Sequence, residues 1–243
     1  IFTGSGVIST IMAVVIVNDH RQNPSIKLTW SVLIIIFPIF AIPFYFFVNQ
    51  DLGHRLVRRR TLTILDSTKH LVQQDETAVS AMDGGSQSLS QYLWREGPFP
   101  VYRNSSAHYY PLGDYAFDDM LTALEQAEHF IFLEYFIIEE GYMWGRILSI
   151  LERKAKEGVE VRVLYDGTCA VALLPYNYPK KLEALGIQCK MFAPLRVAVS
   201  THYNNRDHRK IFVVDGKVAF TGGINLADEY INRKVLHGHW KDT

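Results

Sequence analysis

The chain has 243 residues, 48% hydrophobic and 21% charged, and its 25 basic residues balance 25 acidic ones. That composition excludes an intrinsically disordered chain, which would be poorer in apolar residues and would carry net charge. Zero net charge also speaks against a nucleic-acid partner, and the length is ample for one or two domains with a buried core. Two cysteines, Cys169 and Cys189, are too few for a disulfide framework and form no C-x-x-C pair of the kind that holds zinc. A reducing compartment is the expectation.

Residues 1–48 are mostly apolar. Leu28 to Val48 runs without a charged residue, and as one helix it would reach roughly 30 Å, the hydrocarbon thickness of a bilayer. Pro38 and Pro43 would break a soluble helix but are tolerated in a membrane span. Trp30 and Tyr45 sit near its ends, where amphipathic rings prefer the interface. The shorter apolar run Ile1 to Val17 reads as the remainder of a first span, and a second apolar segment close behind it argues against a signal peptide. The loop between holds Arg21 and Lys27, whereas Arg55, Arg58, Arg59, Arg60 and Lys69 follow the second run. The positive-inside bias then puts the long C-terminal part in the cytoplasm. The expected layout is a two-helix transmembrane hairpin over 1–48, a linker region over 49–97 and a soluble domain over 98–243. Ile1 is not an initiator, so a longer parent protein is expected.

From about Pro98 strands and helices alternate. Asp114 to Ala127 is predicted helical, with Phe117, Met120, Leu121 and Leu124 on one face. His129 to Ile138 is apolar on both faces, as in a buried strand. Tyr142 to Lys156 reads as an amphipathic helix with basic residues in its last turn and Gly158 just beyond. Strands are expected over Val159 to Tyr165 and Ile187 to Phe192, with a short helix over Pro179 to Leu185 between them and a loop over Ala193 to Asp207. This order implies βαβ units, hence an α/β domain with a largely parallel central sheet covered by helices on both sides.

The run Asn204 to Asn225, NNRDHRKIFVVDGKVAFTGGIN, carries the chemistry. Asp215-Gly216 between two β-branched and aromatic stretches is a hairpin signal. Side chains two apart on a strand share a face, so His208 and Lys210 point one way while Arg209, Ile211 and Val213 point the other. Gly222 and Gly223 let backbone approach a ligand, and Asn225 adds an amide donor. Imidazole, ammonium, open backbone and amide together suit a phosphate group.

His208-x-Lys210, four residues, Asp215, then Gly222-Gly223-x-Asn225 resembles the HKD motif of the phospholipase D superfamily. With Asn205-Arg206-Asp207, Ala227-Asp228-Glu229-Tyr230, Trp240-Lys241-Asp242 and the apolar N-terminus, the chain is similar to the first half of bacterial cardiolipin synthases of that superfamily. The resemblance implies a phospholipase D-type fold and transfer of a phosphatidyl group between two phosphatidylglycerol molecules at a membrane, releasing glycerol. His208 would attack phosphorus to form a phosphatidyl-histidine, while Lys210, Asn225, Gly222 and Gly223 would hold the phosphoryl group. No cofactor is implied, and with no clustered carboxylates positive side chains are expected in place of metal ions. A second histidine is needed to protonate the leaving group, and no second complete motif occurs in these residues. It is expected from a missing C-terminal half or, less readily, from a second copy of the chain. A membrane-tethered phosphodiesterase and a non-catalytic membrane scaffold are the alternatives.

Several acids have two readings. Asp215 belongs to the motif, yet its place in the turn favours a structural carboxylate. Asp242 is a candidate orienter for the histidine of the opposite half, or an exposed acid. Glu134, a lone carboxylate inside an apolar strand, needs a partner and is either near the site or in a structural ion pair. Asp166 follows a strand end where open α/β sheets place ligands, and a turn role competes. His237-Gly238-His239 lacks a third metal ligand, and Cys169 reads as a small packed residue.

Overall fold

A computed structural model describes residues 2–20, 22–48, 52–97, 99–194, 206–236 and 238–241. The chain divides into two compact units, 1–105 and 106–243.

In the first unit, α1 (Phe2–Asn18), α2 (Pro24–Ile36) and α3 (Pro38–Val48) bury Ile16, Ile34, Ala41 and Tyr45 among themselves. The continuous span expected over Leu28 to Val48 is corrected to two helices of 13 and 11 residues, α2 beginning upstream at Pro24. Pro38 is the cause. It has no N–H for the Ile34 carbonyl, and it disfavours helical backbone in the residue before it. Phe37 accordingly leaves the helix, at φ −128° and ψ 59°, and Pro38 takes the first position of α3, where a missing N–H costs nothing. Pro43 stays inside α3. Among the described residues no helix is long and apolar enough to cross a membrane. Much apolar surface is nonetheless uncovered on these helices, with Ile39 72% and Phe40 78% exposed. Three polar helices follow, α4 (Leu52–Thr68), α5 (Glu76–Ser80) and α6 (Gly84–Glu96). Asp75 and Asp83 cap the last two through backbone N–H groups.

The second unit is an α/β domain. Its elements are α7 (Gly113–Glu125), β1 (Phe130–Tyr135), α8 (Tyr142–Lys156), β2 (Glu160–Asp166), α9 (Cys169–Ala172), α10 (Tyr178–Ala184), β3 (Gln188–Phe192), β4 (Lys210–Val214) and β5 (Val218–Thr221). The strand order is β3-β2-β1-β4-β5. β1, β2 and β3 pair in parallel through helical crossovers, while β4 runs antiparallel to β1 and to β5. The sheet is thus mixed, and the Asp215-Gly216 hairpin, reversing the chain without a crossover, makes β5 antiparallel to β4. Both turn residues have positive φ, 53° and 65°, as a tight two-residue turn requires.

Helices cover one face of the sheet. Ile131, Leu133 and Tyr135 of β1, Val161, Val163 and Tyr165 of β2, and Phe212 and Val214 of β4 are buried there. On that side Tyr178 of α10 stacks edge-on against Tyr165 and accepts a hydrogen bond from Trp144 of α8. The other face carries Phe130, Phe132, Glu134, Leu164, Ile211 and Val213, all half-buried, and a groove of about 560 Å³ runs along it. The expectations of two covered faces and a mainly parallel sheet are therefore corrected: among the described residues the helical layer is one-sided.

Helix α8 is tied to the far end of the chain. Its first turn has no local side-chain cap, and the carboxylate of Asp228 accepts N–H bonds from Tyr142 at 3.0 Å and Met143 at 2.7 Å. A Cβ on Gly141 would stand 2.8 Å from that carboxylate, which accounts for the glycine. Asp228→Ala is expected to cost about 1 kcal/mol, the usual value of a helix cap, read as a lower urea midpoint, and Asp228→Asn to recover part of it.

Candidate active site

The site forms where β1 ends and β4 begins. His208 lies just before β4 and is exposed, while Lys210, its first residue, is only 5% exposed. Pairing places Lys210 opposite Tyr135. The chain bends directly after that, at Phe136, and the Phe136 ring meets both motif side chains. Its centroid is 4.6 Å from the His208 imidazole and 5.4 Å from the Lys210 ammonium. Lys210 Nζ also donates to the His208 carbonyl at 2.8 Å. The alternation along HRK thus brings imidazole and ammonium to one side. Beside the ammonium lies a cavity of about 480 Å³ lined by Lys210, Tyr135, His108, Tyr110, Thr221 and Gly222.

Gly222 is exposed at that wall and Gly223 half-buried beside it. Asn225 is 3% exposed and bonded within the protein. Its Oδ1 accepts the Ile137 N–H at 3.0 Å and its Nδ2 donates to the Tyr230 hydroxyl at 2.8 Å. It therefore clamps the backbone behind the site, and the tyrosine of Ala-Asp-Glu-Tyr is its partner.

Asp215 stands at the opposite end of β4 from His208. Its carboxylate accepts N–H bonds from Glu128, His129 and Phe130, each at 2.8 Å. Burial pushes its pKa up, and these three backbone donors outweigh that, holding it at about 2. This placement fits the structural reading of Asp215, which ties the β4–β5 turn to the start of β1.

Glu134 lies on the other face of the sheet, opposite Ile211. Arg209 stands 2.6 Å from Glu134 and 2.9 Å from Asp207, an ion-paired triad. Burial first, then the neighbouring Asp207 carboxyl, raise the Glu134 pKa from 4.5 to about 7, against the lowering effect of Arg209. Asp166 is fully buried; it accepts N–H bonds from Thr168 at 2.8 Å and Asp207 at 2.9 Å and pairs with Arg206. It is a hub holding the approach to β4 against the end of β2. Asp242 and His237 lie outside the described residues. Among those described, no three His, Cys, Asp or Glu side chains could jointly hold a metal ion.

Sequence reasoning missed Phe136 and the Asp207–Arg209–Glu134 triad. The second was foreshadowed by strand alternation, which turns Arg209 away from His208. The first had no signal beyond being an aromatic residue at a strand end.

Two substitutions test these assignments. Asp215→Ala should cost about 2 kcal/mol, the scale of a lost charge-assisted hydrogen bond, read as a lower urea midpoint. The carboxylate's contribution is complete above its ordinary value of 3.8 and disappears as pH falls toward about 2, so wild type and variant should converge in stability in strong acid. Glu134 has the opposite sign: a carboxyl raised from 4.5 to about 7 lowers stability as pH climbs through that interval. Glu134→Gln should therefore gain on wild type between those pH values and hold its advantage above them. Parallel pH profiles of the urea midpoint would refute this.

Residues 120–235 match the family described as "Cardiolipin synthase, PLD-like domain", and residues 7–48 match "Phospholipase_D-nuclease N-terminal". A Streptococcus mutans serotype c protein described as "Uncharacterized protein" is 48% identical over 231 residues, 94% of this chain and 50% of that protein. Cardiolipin synthases of Alkalihalophilus pseudofirmus and Halalkalibacterium halodurans are 33% and 31% identical, each over 97% of this chain and 48% of the relative. The chain thus spans about half the length of these relatives. These matches place residues 120–235 in the cardiolipin synthase, PLD-like domain family and residues 7–48 in the Phospholipase_D-nuclease N-terminal family.

Proposed function

We propose that the chain contributes the nucleophilic half of a phosphatidyltransferase that makes cardiolipin from two phosphatidylglycerol molecules. A His208 ring nitrogen attacks the phosphorus of the first lipid, the bond from phosphorus to the headgroup glycerol oxygen breaks, and glycerol leaves with a proton from a second acid. The headgroup hydroxyl of the second lipid, deprotonated by the same group, then attacks the phosphatidyl-histidine, and the phosphorus–nitrogen bond breaks. The second acid–base is a histidine of another HKD motif, from a further half of the protein or from a second copy. Lys210 offsets the charge that grows on the phosphoryl oxygens. The observation that carries this reading is the gathering of an exposed imidazole and a buried ammonium on one aromatic ring.

Residues 1–48 seat the enzyme in lipid. Large apolar side chains such as Val7, Ile11, Ile39, Phe40 and Phe44 are more than half exposed, and lipid removes the cost of wetting them. In this reading residues 49–97 connect that anchor to a catalytic segment over 98–243, on the cytoplasmic side with Arg58, Arg59 and Arg60.

The test is His208→Ala in the intact protein, assayed on phosphatidylglycerol vesicles. Cardiolipin formation should fall to background; unchanged output would refute the enzymatic reading. Wild-type product analysis separates the reaction types, since transfer yields cardiolipin and glycerol and hydrolysis yields phosphatidate.

A further inference from the structure

Of the residues around His208, Phe136 belongs to no part of the HKD motif yet touches both of its cationic and nucleophilic members. Its ring lies 4.6 Å from the imidazole at an interplanar angle of 55°, within the range of favourable aromatic pairs. The Lys210 ammonium is 5.4 Å from its centroid, within cation–π reach. His208 is exposed and lies outside the strand ladder, so its own backbone leaves the ring free to change rotamer. A rotamer change would carry the nucleophilic nitrogen out of line with a phosphorus atom.

The ring itself is held from behind. The peptide joining Phe136 to Ile137 is gripped on both sides: its carbonyl accepts from Cys169 Sγ at 3.2 Å, and its N–H donates to Asn225 Oδ1 at 3.0 Å. Both anchors are buried, Cys169 completely. Leu226 N donates to the Ile137 carbonyl at 3.2 Å, so the segment after the double glycine fixes the same bend.

We propose that Phe136 is a positioning residue, an aromatic shelf that holds the His208 imidazole and the Lys210 ammonium in a common orientation toward the phosphoryl group. Asn225 and Cys169 act through it, by fixing the peptide plane from which the ring projects. This rests on the reading of His208 as nucleophile. It also gives Asn225 a task that needs no contact with substrate.

The test uses the intact protein with carbon-13-labelled histidine in lipid nanodiscs, the His208 signal being identified by its loss in His208→Ala. In Phe136→Leu the His208 ring signal should move, because the neighbouring ring current is gone. The kcat for cardiolipin formation should fall about 10²-fold, the scale of a misplaced reacting group, with KM little changed. Phe136→Tyr keeps the ring and should retain both the signal position and most of kcat. A Leu variant with an unmoved His208 signal, or with kcat within about twofold of wild type, overturns the proposal. So does a Tyr variant as impaired as the Leu variant. Should His208→Ala still make cardiolipin, the nucleophile assignment fails, while the signal shift independently reports whether Phe136 packs on His208.

Discussion

Three N–H groups at the entry to β1 converge on one carboxylate, that of Asp215, and the site depends on this tie. It anchors the hairpin turn to a fixed point on the neighbouring strand and so sets the register of β4 against β1, Val214 beside Ile131 and Lys210 beside Tyr135. Because side chains alternate along a strand, a slip of one residue would send Lys210 to the groove side and Arg209 to the buried side. The third member of the HKD motif thus serves the first two from the far end of a five-residue strand. Its carboxylate, pulled down to about 2 by backbone donors, stays ionised throughout the physiological range.

A second set of ties works at the other end of the sheet, where β1 and β2 finish and loops must hold functional groups. Asp166 binds the N–H of Asp207 and pairs with Arg206, so the approach to β4 is locked to the end of β2. Asn225 binds the N–H of Ile137, and Asp228 the first N–H groups of α8. Burying a polar group without a partner costs a few kcal/mol. Each buried acid or amide here therefore tolerates only the loop path that satisfies it. The described residues that leave β1 and β2 and lead into β4 and α8 are fixed in this way at the sheet end where open α/β folds place ligands.

This division explains what was legible in the sequence. Local periodicity located α8 to the residue and β2, β3 and the hairpin within one or two positions, because amphipathic spacing and the Asp-Gly turn are local facts. The facing of His208 and Lys210 followed from the strand period alone. The one-sided helical layer was not legible: Phe132, Leu164, Ile211 and Val213 are as apolar as the residues they alternate with. Pro38 is visible in the sequence, but tolerance of a proline in lipid says nothing about whether the helix continues through it. The work of Asn225 and Asp228 depends on partners about 90 residues away in sequence, which no window of local pattern contains.

The two faces of β1 and β4 also divide the electrostatics. On the groove side, Glu134 and Asp207 share the guanidinium of Arg209, and mutual repulsion with burial lifts Glu134 to about 7 while Asp207 is held low. At neutral pH Glu134 is therefore only about half ionised, beside an ionised Asp207 and the Arg209 guanidinium. Two fully ionised acids behind the sheet would oppose the arrival of a phosphate on the Lys210 side through a low-dielectric layer that screens poorly. By keeping Glu134 largely protonated below pH 7, the triad staples the approach to β4 onto β1 while weakening that opposing field. Structural pairing and anion attraction are then compatible on two adjacent strands, because their alternation keeps the acids and the Lys210 ammonium on opposite faces.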